Sequence, residues 1–204
     1  MIDPSSSSPV IAPDGSVLYG AYTRYNSARG HLFRFSADGG FLGSYDFGWD
    51  STPAIAAGDS SRSWAVVVKD NHYDVGSYCG NPRLCPPGQE AYRITRLSPS
   101  LGSEWQFTHT NRESCTRMAD GRLSCVQDRP YGSEWCINAP AVDRHGAVYA
   151  LNEDGNLYVI GPGGEERGRL FLERAIGAAY TPVAVDHAGR IYAQNYGRLF
   201  VIGL

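Results

Sequence analysis

Apolar residues in this chain come in short runs bounded by Gly, Asp and Asn, and one such arrangement is written twice: "APAVDRHGAVYALNEDGNLYVIG" at 139–161 and "TPVAVDHAGRIYAQNYGRLFVIG" at 181–203. Aligned on Pro140 and Pro182, the positions Gly146, Tyr149, Gly155, Leu157 and Gly161 answer to Gly189, Tyr192, Gly197, Leu199 and Gly203. The second copy gains one residue before its first glycine and loses one before its second, so the length differences fall at turns, where β-structure tolerates them. Residues 148–151 and 191–193 are β-formers, while 157–160 and 199–202 are almost wholly apolar. Runs that short, flanked by turn residues, are expected to be strands packed on both faces. Each copy thus predicts three short strands joined by tight turns.

The step from Pro140 to Pro182 is 42 residues, and "SPVIAPDGSVLYGAY" at 8–22 and "TPAIAAGDSSRSWAVVV" at 52–68 share the same opening, with Pro9 and Pro53 44 residues apart. Pro53 to Pro140 is 87 residues, which reads as two such periods. A repeat of about 40 to 45 residues with four strands is the spacing of propeller blades. The chain is expected to hold four to five of them. "PDGS" at 13–16, "ADGG" at 37–40, "ADGR" at 119–122 and "EDGN" at 153–156 each place Gly after Asp between apolar runs, where a hairpin loop needs a residue tolerant of positive φ. No segment sustains a 3.6-residue period, and a single turn near 173–179 is the most helix expected. With 24 Gly, 12 Pro and 13 Tyr in 204 residues, the fold class is all-β, a single domain over residues 1–204.

The pattern Pro-(Ala/Val)-Val-Asp-x-x-Gly-x-(Val/Ile)-Tyr-Ala, followed by Asp-Gly-x-Leu-Tyr-Val-Ile, resembles the repeat of the PQQ-like β-propellers, a superfamily that includes quinoprotein dehydrogenases and the outer-membrane assembly lipoprotein. The resemblance covers 139–203 well, 9–47 moderately and 52–138 loosely. It implies a propeller; it does not carry the quinoprotein chemistry across. Those enzymes have adjacent cysteines beneath the cofactor, and no two cysteines here are adjacent. Of their Gly-x-x-x-Trp docking motif only "SPSLGSEW" at 98–105 has the look, and Phe47 stands where a Trp would sit after "ADGGFLGSYD". No catalytic residue, metal ligand or cofactor is therefore expected.

The five cysteines bear on compartment. Cys79 and Cys85 bracket the small loop "CGNPRLC" and lack Cys-x-x-Cys spacing. In "CTRMADGRLSC", a three-residue loop with Gly121 at positive φ pairs Met118 with Arg122 and sets Cys115 opposite Cys125. Two such bridges point to the periplasm or the cell exterior. Cys136 is left over, with pairing to Cys115 or Cys125 the alternative, as are buried free thiols. "MIDPSSSSPV" has neither the basic start nor the apolar stretch of a secretory leader, which is expected to lie upstream of the residues given. No apolar stretch approaches the ~20 residues of a spanning helix. A formal charge of −3 with scattered basic residues makes nucleic acid an unexpected partner.

The histidines are dispersed: His145 and His187 fall in equivalent turns and are expected in solvent, and His31, His72 and His109 have no partner at metal-ligand spacing. Asp143 and Asp186 end the first strand of each copy and are expected to accept turn amides. In "GSEW", at 102–105 and 132–135, Trp is expected in the core and Glu in water. "NEDGN" at 152–156 reads as a plain hairpin turn. The most individual segment is the insertion from about Asn71 to Glu90, carrying Tyr73 and Tyr78, which with "QDRPYG" at 127–132 (Arg129, Tyr131) is expected at one rim as the binding surface.

The last copy ends with its third strand where the preceding one continues into "RGRLFLE". The expectation is the C-terminal portion of a propeller of six to eight blades, completed by missing N-terminal blades or by a second chain; a closed ring of four is the alternative. The expected function is a noncatalytic envelope or exterior scaffold presenting loops to a protein or polysaccharide. The alternative is a fragment of a quinoprotein-like oxidoreductase whose catalytic residues lie elsewhere.

Overall fold

The computed structural model describes residues 5–24, 29–47, 51–58, 63–73, 90–177 and 180–203. Four antiparallel sheets follow one another along the chain. The first contains β1 (Val10–Ile11), β2 (Val17–Arg24), β3 (Arg29–Phe35) and β4 (Phe41–Phe47); the second, β5 (Ala54–Ala56), β6 (Ala65–His72), β7 (Ala91–Leu97) and β8 (Ser103–Thr108). A separate hairpin, β9 (Glu113–Arg117) and β10 (Leu123–Gln127), precedes the third sheet, β11 (Ala141–Val142), β12 (Val148–Leu151), β13 (Asn156–Ile160) and β14 (Glu166–Phe171). The fourth is β15 (Ala184–Val185), β16 (Ile191–Asn195) and β17 (Arg198–Ile202). Neighbours in sequence are neighbours in each sheet, an up-and-down meander. There is no helix among the described residues.

The register makes the repeat exact at residue level. Tyr149 pairs with Ala141 and Val159; Tyr192 pairs with Ala184 and Val201. Asp143 Oδ1 accepts the amides of His145 and Ala147, and Asp186 Oδ1 those of Ala188 and Arg190, while the Tyr149 and Tyr192 hydroxyls each reach the second oxygen of their own aspartate at 3.1 Å. Gly15, Gly39, Gly121 and Gly155, the four expected after Asp, all have φ between +81° and +89°.

Because side chains alternate across a strand, the second and third sheets each have one face toward the preceding sheet and one toward the following sheet. Leu18 and Leu32 of the first sheet pack with Val66, Val68 and Leu97 of the second. The opposite face of the second, with Val67 and Ile94, joins Val148, Tyr158 and Ile160 of the third, and the same cluster runs on to Ile191 and Ala193 of the fourth. The innermost strands approach one another at their leading ends: Thr52 N donates to Asn138 O (3.1 Å) and Val183 N to Ala139 O (3.3 Å).

Three expectations are corrected. Among the described residues between Pro53 and Pro140 there is one four-stranded sheet and, in place of a second blade, the two-stranded β9–β10 hairpin, so the described residues form four blade-like sheets and a hairpin. And residues 199–202 are not covered on both faces: Phe200 and Ile202 pack on the core, whereas Leu199 and Val201 lie 62% and 53% exposed, because no described sheet follows the fourth. Where the sequence allows a helical turn near 173–179, the described residues 173–177 are not helical, and 173–175 bind β9 through Arg117 N to Glu173 O and Ala175 N to Cys115 O.

Candidate functional site

At the leading ends of the inner strands, loops from the second and third sheets bring together Lys69, Tyr73, Arg129, Glu134, Cys136 and Glu153. Lys69 is the last-but-three residue of β6 and Glu153 follows β12, so both reach the same end as residues 134–138, which lead into β11. The loops are tied by backbone bonds: Glu153 N to Glu134 O (3.3 Å), Ile176 N to Glu153 O (2.7 Å) and Tyr180 N to Cys136 O (2.6 Å). A cavity of about 120 Å³ opens beside them, lined by Lys69, Ile137, Asn138, Tyr180 and serines 6, 7 and 51.

Two carboxylates close together in a partly dry place set the electrostatics. Burial first, then the charge of Glu134, raises the Glu153 carboxyl to about 7, against the lowering by Arg129, the Cys136 hydrogen bond and Lys69. The Cys136 thiol is pushed up to about 11 by burial and by Glu153 and Glu134. It is therefore a protonated donor at neutral pH, not a thiolate nucleophile. Tyr73 donates to Glu134 and takes a hydrogen bond from Asn71 Nδ2, and burial raises its phenol well above the ordinary value.

A second polar node supports this end from within. Ser133 N donates to His109 Nδ1 at 3.0 Å, which leaves Nε2–H to face Asp154 Oδ2 at 3.1 Å; Tyr158 (2.6 Å) and Asn111 (2.8 Å) donate to the same oxygen, and Asn156 N to Oδ1. Burial favours the neutral Asp154, but the His109, Asn111 and Tyr158 bonds outweigh it and the carboxyl titrates below its ordinary value. Trp135, fully buried, packs edge-on against His109 and Tyr158. "NEDGN" is thus more than a turn: Asp154 is a buried acceptor whose side-chain donors come from 43 and 45 residues away and from four positions along.

The hairpin stands beside the charged cluster. The Cys115–Cys125 disulfide links its strands, with Cys125 directly opposite Cys115 in the register. Arg129 at its base donates to Ser114 Oγ (3.3 Å) and contributes to the field at Glu153. Every residue of β10 is exposed, among them Leu123 and Val126, with Met118 in the turn and Tyr131 just beyond.

Of the residues expected at a rim, Arg129 and Tyr131 lie here, Tyr131 exposed and Arg129 half-buried. Tyr73 is in the same cluster but packs on the core against Tyr92, so it braces the site instead of projecting from it. Asn71 and His72 belong to β6, so the insertion begins after them; Tyr78 and the Cys79 and Cys85 pair lie outside the described residues. Cys136 is a buried free thiol, which removes its pairing with Cys115 or Cys125. In the two "GSEW" copies Trp135 is in the core as expected, but Glu134 holds Tyr73, and Glu104 binds buried Arg96 at 2.7 Å. Trp105 is half-buried and donates to Pro162 O. His31 and His72 face Asp46 and Asp70 at 2.6 and 2.7 Å. At the opposite end, Asp143, His145, Asp186 and His187 line a groove of about 350 Å³ between the third and fourth sheets.

No family model and no curated relative matches the chain. Solved structures do. BamB from Moraxella catarrhalis is similar over 96% of this chain and 41% of its own, with a TM-score of 0.54 and 12% identity. The likeness is one of fold. It agrees with the radial stacking above in making the chain a β-propeller-like arc, and the chain spans about two fifths of that protein's length. A gluconolactonase from Xanthomonas campestris (TM-score 0.46, 12% identity, 98% of this chain and 60% of that one) and the C-terminal WD40 domain of Sif2 (0.36, 9%, 96% and 57%) are more distant. No helix among the described residues is long and apolar enough to cross a membrane.

Proposed function

We propose that this chain is a noncatalytic scaffold of the bacterial cell envelope or exterior, built from PQQ-like propeller repeats, that binds a protein partner at the end carrying the β9–β10 hairpin. The observation that carries the reading is the hairpin itself. It is an addition to the propeller meander, closed by a disulfide and fastened to residues 173–175, and it displays Met118, Leu123 and Val126 to solvent beside Tyr131. A two-stranded hairpin is marginal alone. One that is stapled and anchored while exposing apolar side chains is suited to contact, and loops on a rigid scaffold are where binding concentrates. Next to it the Glu134 and Glu153 pair offers carboxylates to a basic group of the partner, whereas the raised Cys136 thiol suits a structural donor. A protein fits this mixture of apolar and acidic surface better than a polysaccharide. The Cys115–Cys125 disulfide supports an oxidising compartment.

The experiment is affinity capture from an envelope fraction of the source bacterium with the wild-type chain and with Leu123→Ser/Val126→Ser/Tyr131→Ala, followed by binding measurements on the purified partner. The triple variant is expected to bind at least tenfold more weakly with unchanged melting of the sheets. A partner held equally by both chains refutes the reading.

A further inference from the structure

We propose that the two end sheets of this arc are ring-closing surfaces, and that the exposed face of the fourth sheet is covered by the exposed face of the first sheet of a second copy of the chain. The argument comes from equivalent positions. Residue by residue, the pairing registers align Leu32 of the first sheet, Leu157 of the third and Leu199 of the fourth on the face that looks toward the next sheet: Leu32 opposes Gly20, Leu157 opposes Leu151 and Leu199 opposes Gln194. All three are leucines. Leu32 is 0% exposed and Leu157 2%, each covered by the sheet that follows; Leu199 is 62% exposed. The same comparison holds for Val159, partly buried, and Val201, 53% exposed. The fourth sheet therefore carries the side chains of a sheet-to-sheet contact.

What covers such a face elsewhere in the chain is the opposite face of the next sheet. The fourth sheet covers the third with Ile191, Ala193, Phe200 and Ile202. The register places Val17, Tyr19, Phe33 and Phe35 at the corresponding positions of the first sheet, and none of these belongs to a core cluster of the described residues. Phe41, opposite Phe35, is 62% exposed and packs edge-on against Phe33 and Phe35. Ile11 extends the same face, 74% exposed. So the first sheet displays the kind of surface that the fourth lacks as a partner. If the chain closed on itself, Leu199 and Phe41 would bury each other; both are exposed. Two copies joined fourth sheet to first would bring together twice the four described blade-like sheets, within the roughly four to eight blades that propellers adopt, whereas three copies would exceed it. Such a contact is heterologous and closes only if the rotation returns to the beginning.

The test is light scattering on the oxidised chain at concentrations from about 1 to 100 μM, and it is independent of whether the hairpin binds a partner. The wild type is expected at twice the 22.2 kDa chain mass. Leu199→Glu and Phe41→Glu are each expected to be monomeric while keeping the β-sheet circular dichroism and melting of the wild type, since both positions are exposed within one chain. Mixed, they are expected to form a heterodimer, because the Leu199→Glu copy retains an intact first face and the Phe41→Glu copy an intact last face. A monomeric wild type overturns the proposal and leaves the faces to a sheet from some other polypeptide segment. So does a dimer that survives both substitutions, or a mixture of the two variants that stays monomeric.

Discussion

Replacing Glu153 with Gln removes the ionisable group that the strand-end cluster accommodates least well. Burial and the neighbouring Glu134 raise its carboxyl from 4.5 to about 7. Because the folded value lies above the unfolded one, stability is complete below about pH 4.5 and is lost as pH rises through about 7. At ~1.4 kcal/mol for each tenfold step in proton affinity, the full shift corresponds to roughly 3 kcal/mol; Glu153 is only partly buried, and solvent screening brings this to on the order of 1–2 kcal/mol. The Gln variant does not titrate, so its stability relative to wild type should be pH-dependent: near zero at pH 4.5 and favourable by about 1–2 kcal/mol at pH 8. Urea unfolding followed by Trp fluorescence, with the disulfide kept oxidised, measures both. The fully buried Trp135 gives the signal. An equal difference at the two pH values refutes the electrostatic account, since a lost or gained hydrogen bond would act at both.

Further outcomes follow from the same geometry. Cys115→Ser with Cys125→Ser should accelerate proteolysis in the 119–122 turn by about tenfold while the sheets melt nearly as before, because the hairpin opens locally. Asp143→Ala should cost about 1–2 kcal/mol in thermal unfolding, and Asp186→Ala should also lower the melting temperature, since each carboxylate accepts two turn amides and a tyrosine hydroxyl. Gly155→Ala should cost roughly 3 kcal/mol, against about 1 for Gly15→Ala: both have positive φ, but the added methyl at 155 would lie 2.8 Å from the Arg174 backbone and at 15 would meet nothing. Asp154→Asn should remove a stabilisation that wild type shows above pH 4 and loses as pH falls through its lowered pKa; equal acid unfolding curves would contradict this.

The sequence makes the propeller readable where the turns are short and chemically explicit. Asp143 and Asp186, with the glycines three residues after each, mark the strand ends because only those residue types satisfy the tight turns, and the β9–β10 register follows from Gly121 alone. The stretch between Pro53 and Pro140 misleads because period counting measures chain length, and a hairpin docked on residues 173–175 adds length without adding a sheet. The polar nodes are invisible for another reason. His109 and Asp154 are 45 residues apart and meet only once two sheets stack, and the raised Glu153 depends on Glu134 reaching it from a different loop. The two acids side by side in "NEDGN", where the other Asp-Gly turns carry one, are the only local hint. Likewise Leu199 and Leu157 cannot be told apart along the chain; the presence of a following sheet separates them.

A crystal structure superposed on itself tests the radial-repeat claim most directly, residues 140–161 laid on 182–203. The account predicts that Tyr149 and Tyr192 coincide with their hydroxyls on Asp143 and Asp186, and that Leu157 and Leu199 occupy the same position on the next-sheet face. Tyr192 bonded elsewhere, or Leu199 turned into the face that packs on the third sheet, would contradict it.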